Sequence, residues 1–81
     1  MSHVPHELAE EFPGVARQIA ALKADSPYFA GLADRYHVVN REIHRAETNV
    51  EPCSDQHMLE LRQERLALKD KIAMALRSIA A

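Results

Sequence analysis

The sequence predicts an all-α fold: an antiparallel, coiled-coil-like helical hairpin with a short N-terminal helix. The 81 residues include two glycines and no tryptophan, and they are rich in residue types that lose little side-chain freedom in a helix. Two long stretches carry apolar residues at alternating spacings of three and four, which is typical of a helix face that packs on another helix. A short break containing Pro52 separates them, so we expect the second stretch to fold back on the first within one small domain, residues 1–81.

The N-terminal part of the chain carries a shorter apolar stripe. Pro13 and Gly14 interrupt it, and both residues disfavour the interior of a helix. We therefore expect a frayed arm over residues 1–12 and a short helix over residues 13–24. The stripe consists of Leu8, Phe12, Val15, Ile19 and Leu22.

The first hairpin helix is predicted over residues 27–50. Asp25 or Ser26 can cap its free backbone amides, and Pro27 fits the first turn, where its missing N–H costs nothing. Because Pro27 disfavours helical geometry at Ser26, a break at this point is favoured over one continuous, kinked helix. The apolar stripe of this helix is Phe29, Leu32, Tyr36, Val39, Ile43, Ala46 and Val50.

The second hairpin helix is predicted over residues 54–79, after the corner that reads NVEPCSD. Ser54 or Asp55 can cap it. Cys53 is interpreted as an inert residue at the hairpin tip, because no second cysteine exists to pair with it; redox sensing or dimer cross-linking is the alternative. The stripe of this helix is Met58, Leu61, Arg65, Leu68, Ile72, Ala75 and Ile79.

Polar residues beside the two stripes indicate how the helices align. Antiparallel folding would place Asn40 and Glu47 opposite Arg62 and Lys69. Arg65 is the one charged member of a stripe, and its head group is expected to reach water or a nearby glutamate. Replacing Arg65 by Leu is therefore expected to raise the melting temperature, because a half-buried charge is removed.

A second apolar row lies on the second hairpin helix, turned away from the hairpin seam. Leu59, Leu66 and Ala73 recur at intervals of seven, with Met74 beside them. Something should cover this row, either the short N-terminal helix or the same row of a second copy, and the sequence does not choose between them. Because so short a chain buries a small core, we expect self-association, with a homodimer as the simplest form.

One face of the first hairpin helix carries a basic patch of His37, Arg41, His44 and Arg45. Its simplest interpretation is a solvated helix face. The alternative is a docking patch for an acidic protein surface or for phosphate, including that of RNA. The net charge of −2 supplies no overall positive field for nucleic-acid binding.

No catalytic, cofactor-binding or metal site is predicted. His37 and His44 are seven residues apart, whereas two histidines that share a metal ion on one helix are four apart. The sequence has no glycine-rich phosphate loop, nucleophile elbow or zinc signature, and a two-helix hairpin lacks a deep pocket. A cytoplasmic location without membrane contact is expected, because no apolar run approaches a signal-peptide core or a membrane span.

Three segments resemble a known family: HELAEEFPG, IAALKADSPYFAGLADRYHVVNREIHRAE and VEPCSDQHMLELRQERLALKDKIA. Over residues 6–76 the chain is similar to the YdcH family of small bacterial helical proteins. SlyX-type coiled-coil proteins share the heptads but lack the Pro27 start and the run from Leu68 to Asp70. The resemblance implies a cytoplasmic bacterial helical hairpin with no known activity, and it carries over no catalytic or ligand residues.

These observations together favour a non-enzymatic interaction or structural adaptor protein, which binds itself, another protein or both. Leu59, Leu66, Ala73 and Met74 would supply the buried apolar area of the interface, and the charged flanks would set its orientation. The alternative function is an RNA- or ribosome-associated protein that uses the basic patch.

Overall fold

The computed structural model describes residues 5–48 and 53–80, of which residues 79 and 80 are described by their backbone alone. Helices account for most of this range, and it contains no strand. In chain order they are α1 (Leu8–Glu11), α2 (Ala16–Asp25), α3 (Pro27–Glu47) and α4 (Asp55–Ala80). The all-α prediction is confirmed.

The two long helices, α3 and α4, pack against each other as the predicted hairpin. Two contacts show the direction of α4 relative to α3. Glu47, at the end of α3, pairs with Arg62 in the first half of α4, whereas Asn40, two turns earlier, binds Arg65. Because the residue number falls along α3 as it rises along α4, the helices are antiparallel.

The boundary between α2 and α3 lies where the sequence places it. Ser26 is extended, and its Oγ accepts a hydrogen bond from the backbone N–H of Phe29 at 3.1 Å. Pro27 occupies the first turn of α3, and Asp25 is the last residue of α2, so Ser26 and not Asp25 is the cap.

The start of α4 follows the same principle. The Oγ of Ser54 accepts a hydrogen bond from the backbone N–H of His57 at 3.1 Å, and the helix proper begins at Asp55. At the other side of the corner, α3 ends at Glu47 and Thr48 follows it as a turn residue. The predicted last residues of that helix, 49 and 50, lie outside the described residues, as does Pro52.

The core consists mainly of the two predicted hairpin stripes. Side chains of both helices meet along the seam, and Leu8 of α1 and Ile19 of α2 close its N-terminal side. Leu76 of α4 joins this core, although it lies outside the predicted stripe. The buried apolar residues contributed by α3 and α4 are Phe29, Leu32, Ala33, Tyr36, Val39, Ile43, Leu61, Leu68, Ile72 and Leu76.

The expected frayed arm differs from the structure, because residues 5–12 dock on the hairpin. Leu8 is only 4% exposed. The hydroxyl of Tyr36 donates a hydrogen bond to the carbonyl of His6, and Nδ2 of Asn40 donates to the carbonyl of Pro5 at 2.9 Å. Docking of the arm therefore supplies acceptors for two buried polar side chains of α3 and buries a leucine.

The helix predicted over residues 13–24 begins later, at Ala16, because Pro13 and Gly14 form a turn. Gly14 adopts a φ of 83°, a left-handed conformation that side chains other than that of glycine rarely take. The turn separates α1 from α2 and directs α2 along α3.

The polar flanks of the hairpin follow the prediction in part. Arg62 contacts Glu47 at 3.1 Å, as expected. Asn40, however, binds Arg65, and Lys69 lies 3.5 Å from Glu11 of α1. The assignment of Lys69 was wrong because it assumed a frayed arm, whereas the docked α1 places a carboxylate beside it.

An additional pair joins the hairpin on its outer side. Arg35 donates to both carboxylate oxygens of Glu64, at 2.6 and 3.0 Å. This bidentate hydrogen bond lowers the pKa of Glu64.

Candidate functional site

The apolar row on α4 forms the candidate site. We call Leu59, Leu66, Ala73 and Met74 the α4 surface. Leu59 is 51% exposed, Leu66 61% and Met74 62%, while Ala73 is half-buried. These are large exposed fractions for apolar side chains on a regular helix. Leu59, Leu66 and Ala73 form a row along α4, and Met74 lies about 100° around the helix from Ala73.

The N-terminal segment lies beside Ala73 and Leu66 of the α4 surface without covering the row. Phe12, Pro13 and Val15 line a cleft of about 390 Å³ together with Ala73 and Leu76. α2 continues from there along α3, not along α4. The sequence left two candidates to cover the row, the N-terminal helix and a second copy of the chain. The N-terminal helix does not cover Leu59 and Leu66, which stay exposed.

Charged residues of both signs border the α4 surface. With about 100° of rotation per residue, four exposed charged residues lie within about a sixth of a turn of the row through Leu59 and Leu66. Their charges alternate between negative and positive along the helix, in the order Asp55, Arg62, Asp70 and Arg77. An apolar row with such borders can bind another helix and can select its direction.

The basic patch on α3 is less free than the sequence indicates. His37 is half-buried, and its Nδ1 lies 2.8 Å from Oε2 of Glu7 in the docked arm. Both atoms are shielded from solvent, and they form an ion pair only when the imidazole is protonated. Arg41 is exposed, whereas His44 and Arg45 are half-buried. The patch as a whole thus offers one exposed arginine, Arg41, and an imidazole already placed against a carboxylate.

The junction between the arm and the hairpin is a polar cluster that sequence reasoning missed. Oε1 of Glu11 lies 3.0 Å from Nδ1 of His6 and 3.5 Å from Nζ of Lys69. The hydrogen bond from His6, with the charge of Lys69, lowers the pKa of Glu11. Burial raises the pKa of Tyr36 to about 12, so its hydroxyl stays protonated and donates to the carbonyl of His6.

Asn40 lies at the centre of this junction and is 1% exposed. Its Nδ2 donates to the carbonyl of Pro5, and its Oδ1 accepts from Nη1 of Arg65 at 2.9 Å. Arg65 therefore binds Asn40, a partner that the sequence analysis did not name for it. The one feature of the sequence that could have indicated a buried Asn40 is its position next to Val39 of the buried stripe. Nothing in the sequence indicated Pro5 as its acceptor, because the arm was expected to be frayed.

The described residues contain no group of three His, Cys, Asp or Glu side chains that could hold a metal ion. Cys53 is a free, exposed cysteine at the start of the segment that leads into α4. None of the helices in the described ranges is both long enough and apolar enough to cross a membrane.

The fold and the α4 surface define a class: a small helical-hairpin protein with a docked N-terminal segment. The chain belongs to the family described as "Protein of unknown function (DUF465)", whose model matches residues 29–76, more than half of the sequence. YdcH is a member of this family, so the resemblance to YdcH is confirmed. No curated protein and no solved structure matches the chain.

Proposed function

We propose that this chain is a non-enzymatic interaction module or small structural adaptor, which acts in the cytoplasm and recognises a partner helix through the α4 surface. The observation that carries the proposal is the exposure of Leu59 and Leu66 in a row on one regular helix, with the exposed Met74 beside Ala73 of the same row. Burial of such side chains in a complex supplies the free energy of association. A cytoplasmic location fits a chain with a single cysteine, which needs no disulfide to hold its fold.

The position of the exposed apolar residues supports a binding role over a packing role. α3 directs its stripe into the hairpin seam, and its own exposed apolar residues, Tyr28 and Val38, are ten positions apart. On α4, Leu59 and Leu66 are separated by seven residues, so they lie nearly on one line about 10 Å apart. A partner helix can contact both at once.

Capture experiments with matched variants test this proposal. The bait would be the tagged chain, and the prey would be its own untagged copy and the proteins of a bacterial lysate. The double variant Leu59→Ser, Leu66→Ser is expected to lose the captured protein, while Val38→Ser, which replaces a 47% exposed valine on α3, is expected to retain it. Full capture by the double variant, with helicity unchanged by circular dichroism, would overturn the assignment of the α4 surface.

The alternative, an RNA- or ribosome-associated protein, is proposed on the basic patch. Arg41 is its exposed cation. Filter binding of RNA at two salt concentrations separates the functions, because phosphate contacts give a steep salt dependence and apolar docking does not. Salt-dependent RNA binding that is lost in Arg41→Gln and retained in the Leu59→Ser, Leu66→Ser variant would favour the alternative.

A further inference from the structure

We infer that the partner of the α4 surface is a second copy of this chain, whose α4 lies antiparallel to the first with Leu66 facing Leu66 across a two-fold axis. This inference rests on the proposed function and names the partner. It is carried by the order of charges along α4, which is complementary to its own reverse.

The charges pair when α4 is laid against itself in this register. Residues whose numbers are equally far from 66 face each other, so Arg62 of one copy meets Asp70 of the other, and the two-fold axis repeats the pair. These residues lie about 6 Å from the axis along the helix, which keeps them in reach even if the helices cross at an angle. Further out, Asp55 meets Arg77. All four are exposed, and Leu59 faces Ala73 between the two pairs.

A shift of the register by one heptad places like charges together. If Leu59 faced Leu66, Asp55 would meet Asp70. If Leu66 faced Ala73 instead, Arg62 would meet Arg77. Like charges across a helix interface oppose association, so both shifted registers are disfavoured.

A parallel arrangement in register is disfavoured for a similar reason. Each side chain near the seam would then lie beside its own copy, so that Arg62 would meet Arg62. The antiparallel register with Leu66 at its centre is therefore the arrangement that buries the apolar row and also pairs opposite charges along its borders.

Within one copy, Arg62 already contacts Glu47 at 3.1 Å. Both side chains are more than one-third exposed, so this contact is weak and does not prevent Arg62 from turning toward a second copy. Glu47→Gln provides a matched control, because it removes the contact within the chain and leaves the inferred contact between chains intact.

A charge-exchange experiment on the full chain tests the register. Gel filtration with light scattering and sedimentation would measure the dimer dissociation constant of the wild type, Arg62→Asp, Asp70→Arg and their equimolar mixture. Each single variant is expected to dimerise about tenfold more weakly, because two attractive pairs become repulsive. The mixture is expected to recover wild-type affinity as a heterodimer, and Glu47→Gln is expected to dimerise like the wild type.

Cysteine cross-linking gives an independent readout in a Cys53→Ser background. Residues 59 and 73 face each other between copies, whereas two copies of residue 59 are 14 positions apart along the pair, about 21 Å. Leu59→Cys and Ala73→Cys are expected to form a disulfide only when they are mixed, since a disulfide requires Cα atoms within about 7 Å. Cross-linking of Leu59→Cys with itself would overturn the antiparallel register.

The outcomes distinguish this inference from the proposed function. A monomeric wild type at tens of micromolar overturns the second copy as partner, while capture of another protein through the α4 surface would still support an interaction module. A dimer whose affinity is unchanged by both charge variants also overturns the inferred register. Restoration of the dimer in the mixture supports the inference directly.

Discussion

At the scale of single residues, the pair of Arg65 and Asn40 shows that the effect of a charged side chain on stability depends on its hydrogen-bond partner. The heptad pattern places Arg65 on the seam, but a pattern of apolar positions carries no information about which polar atom the guanidinium meets. The structure supplies that atom in the buried Asn40, which in turn holds Pro5 of the arm. The charged residue is thus part of a hydrogen-bonded junction.

The junction reverses the effect expected for Arg65→Leu. Loss of the guanidinium leaves Oδ1 of Asn40, a residue that is 1% exposed, without its donor. An unsatisfied buried acceptor costs about 1–3 kcal/mol, so the melting temperature should fall by several degrees. Arg41→Leu, which changes an exposed arginine on α3, is the control and should alter the melting temperature little. An increase in the melting temperature of Arg65→Leu would restore the simpler expectation that a half-buried charge is costly.

The cap of α4 gives a second prediction at this scale. Ser54→Ala removes the acceptor for the backbone N–H of His57 and should cost about 1 kcal/mol of unfolding free energy. Cys53→Ser, one residue earlier, should have no effect on stability or self-association, because Cys53 is exposed and unpaired. Thermal and urea unfolding under reducing conditions compare the two variants. The interpretation of the corner as a turn fails if the cysteine variant loses self-association and the cap variant behaves as the wild type.

At the scale of helices, the N-terminal arm is the element that the sequence describes least well. Its four helical residues are too few to show a periodic pattern, and Pro13 and Gly14 are typical of a chain that leaves regular structure. The arm is held by contacts with residues about 30 positions away, such as that of His6 with Tyr36. Local propensity could not indicate them, whereas α3 and α4 have long stripes and capping serines and were predicted within about three residues of their described ends.

Acid should loosen the arm. The pKa of Glu11 is lowered from 4.5 in the folded chain, so its contribution to stability is fully present above that value and is lost as the pH falls through the lowered pKa. Thermal unfolding followed from neutral pH into this acidic range should show a steeper loss for the wild type than for Glu11→Gln. Glu60→Gln, an exposed change on α4, should keep the wild-type slope. Equal slopes for the wild type and Glu11→Gln would show that the contacts of Glu11 with His6 and Lys69 contribute nothing to stability.

At the scale of the whole molecule, the hairpin is predicted well from the sequence and the N-terminal segment is not. The family match covers most of α3 and most of α4, and the predicted seam forms most of the observed core. That Leu59 and Leu66 lie off the seam could also be anticipated, because each is two positions before a seam residue, Leu61 or Leu68. The polar contacts between the N-terminal segment and the hairpin could not be predicted from the sequence, because they depend on how residues 5–15 turn in three dimensions.

Removal of residues 1–26 tests the contribution of the N-terminal segment. The hairpin helices should still form, but Leu8 and Ile19 no longer cover the core, and each such side chain contributes about 1.5–3 kcal/mol when buried. Chemical unfolding should therefore show a large loss of stability, and hydrogen exchange should increase around Tyr36. An unchanged unfolding midpoint would mean that α1 and α2 contribute nothing to the stability of the hairpin.

The lone thiol at the beginning of the α4 segment gives the molecule a built-in position marker. A dye attached to Cys53 sits at one end of a helix of 26 residues. In two copies joined as inferred, residue 53 of one faces residue 79 of the other, and the two dyes are about 39 Å apart. A side-by-side arrangement in the same direction would bring the dyes to within about 10 Å, the spacing of packed helices. Energy transfer between donor- and acceptor-labelled wild-type chains thus distinguishes the two directions without altering any side chain of the α4 surface.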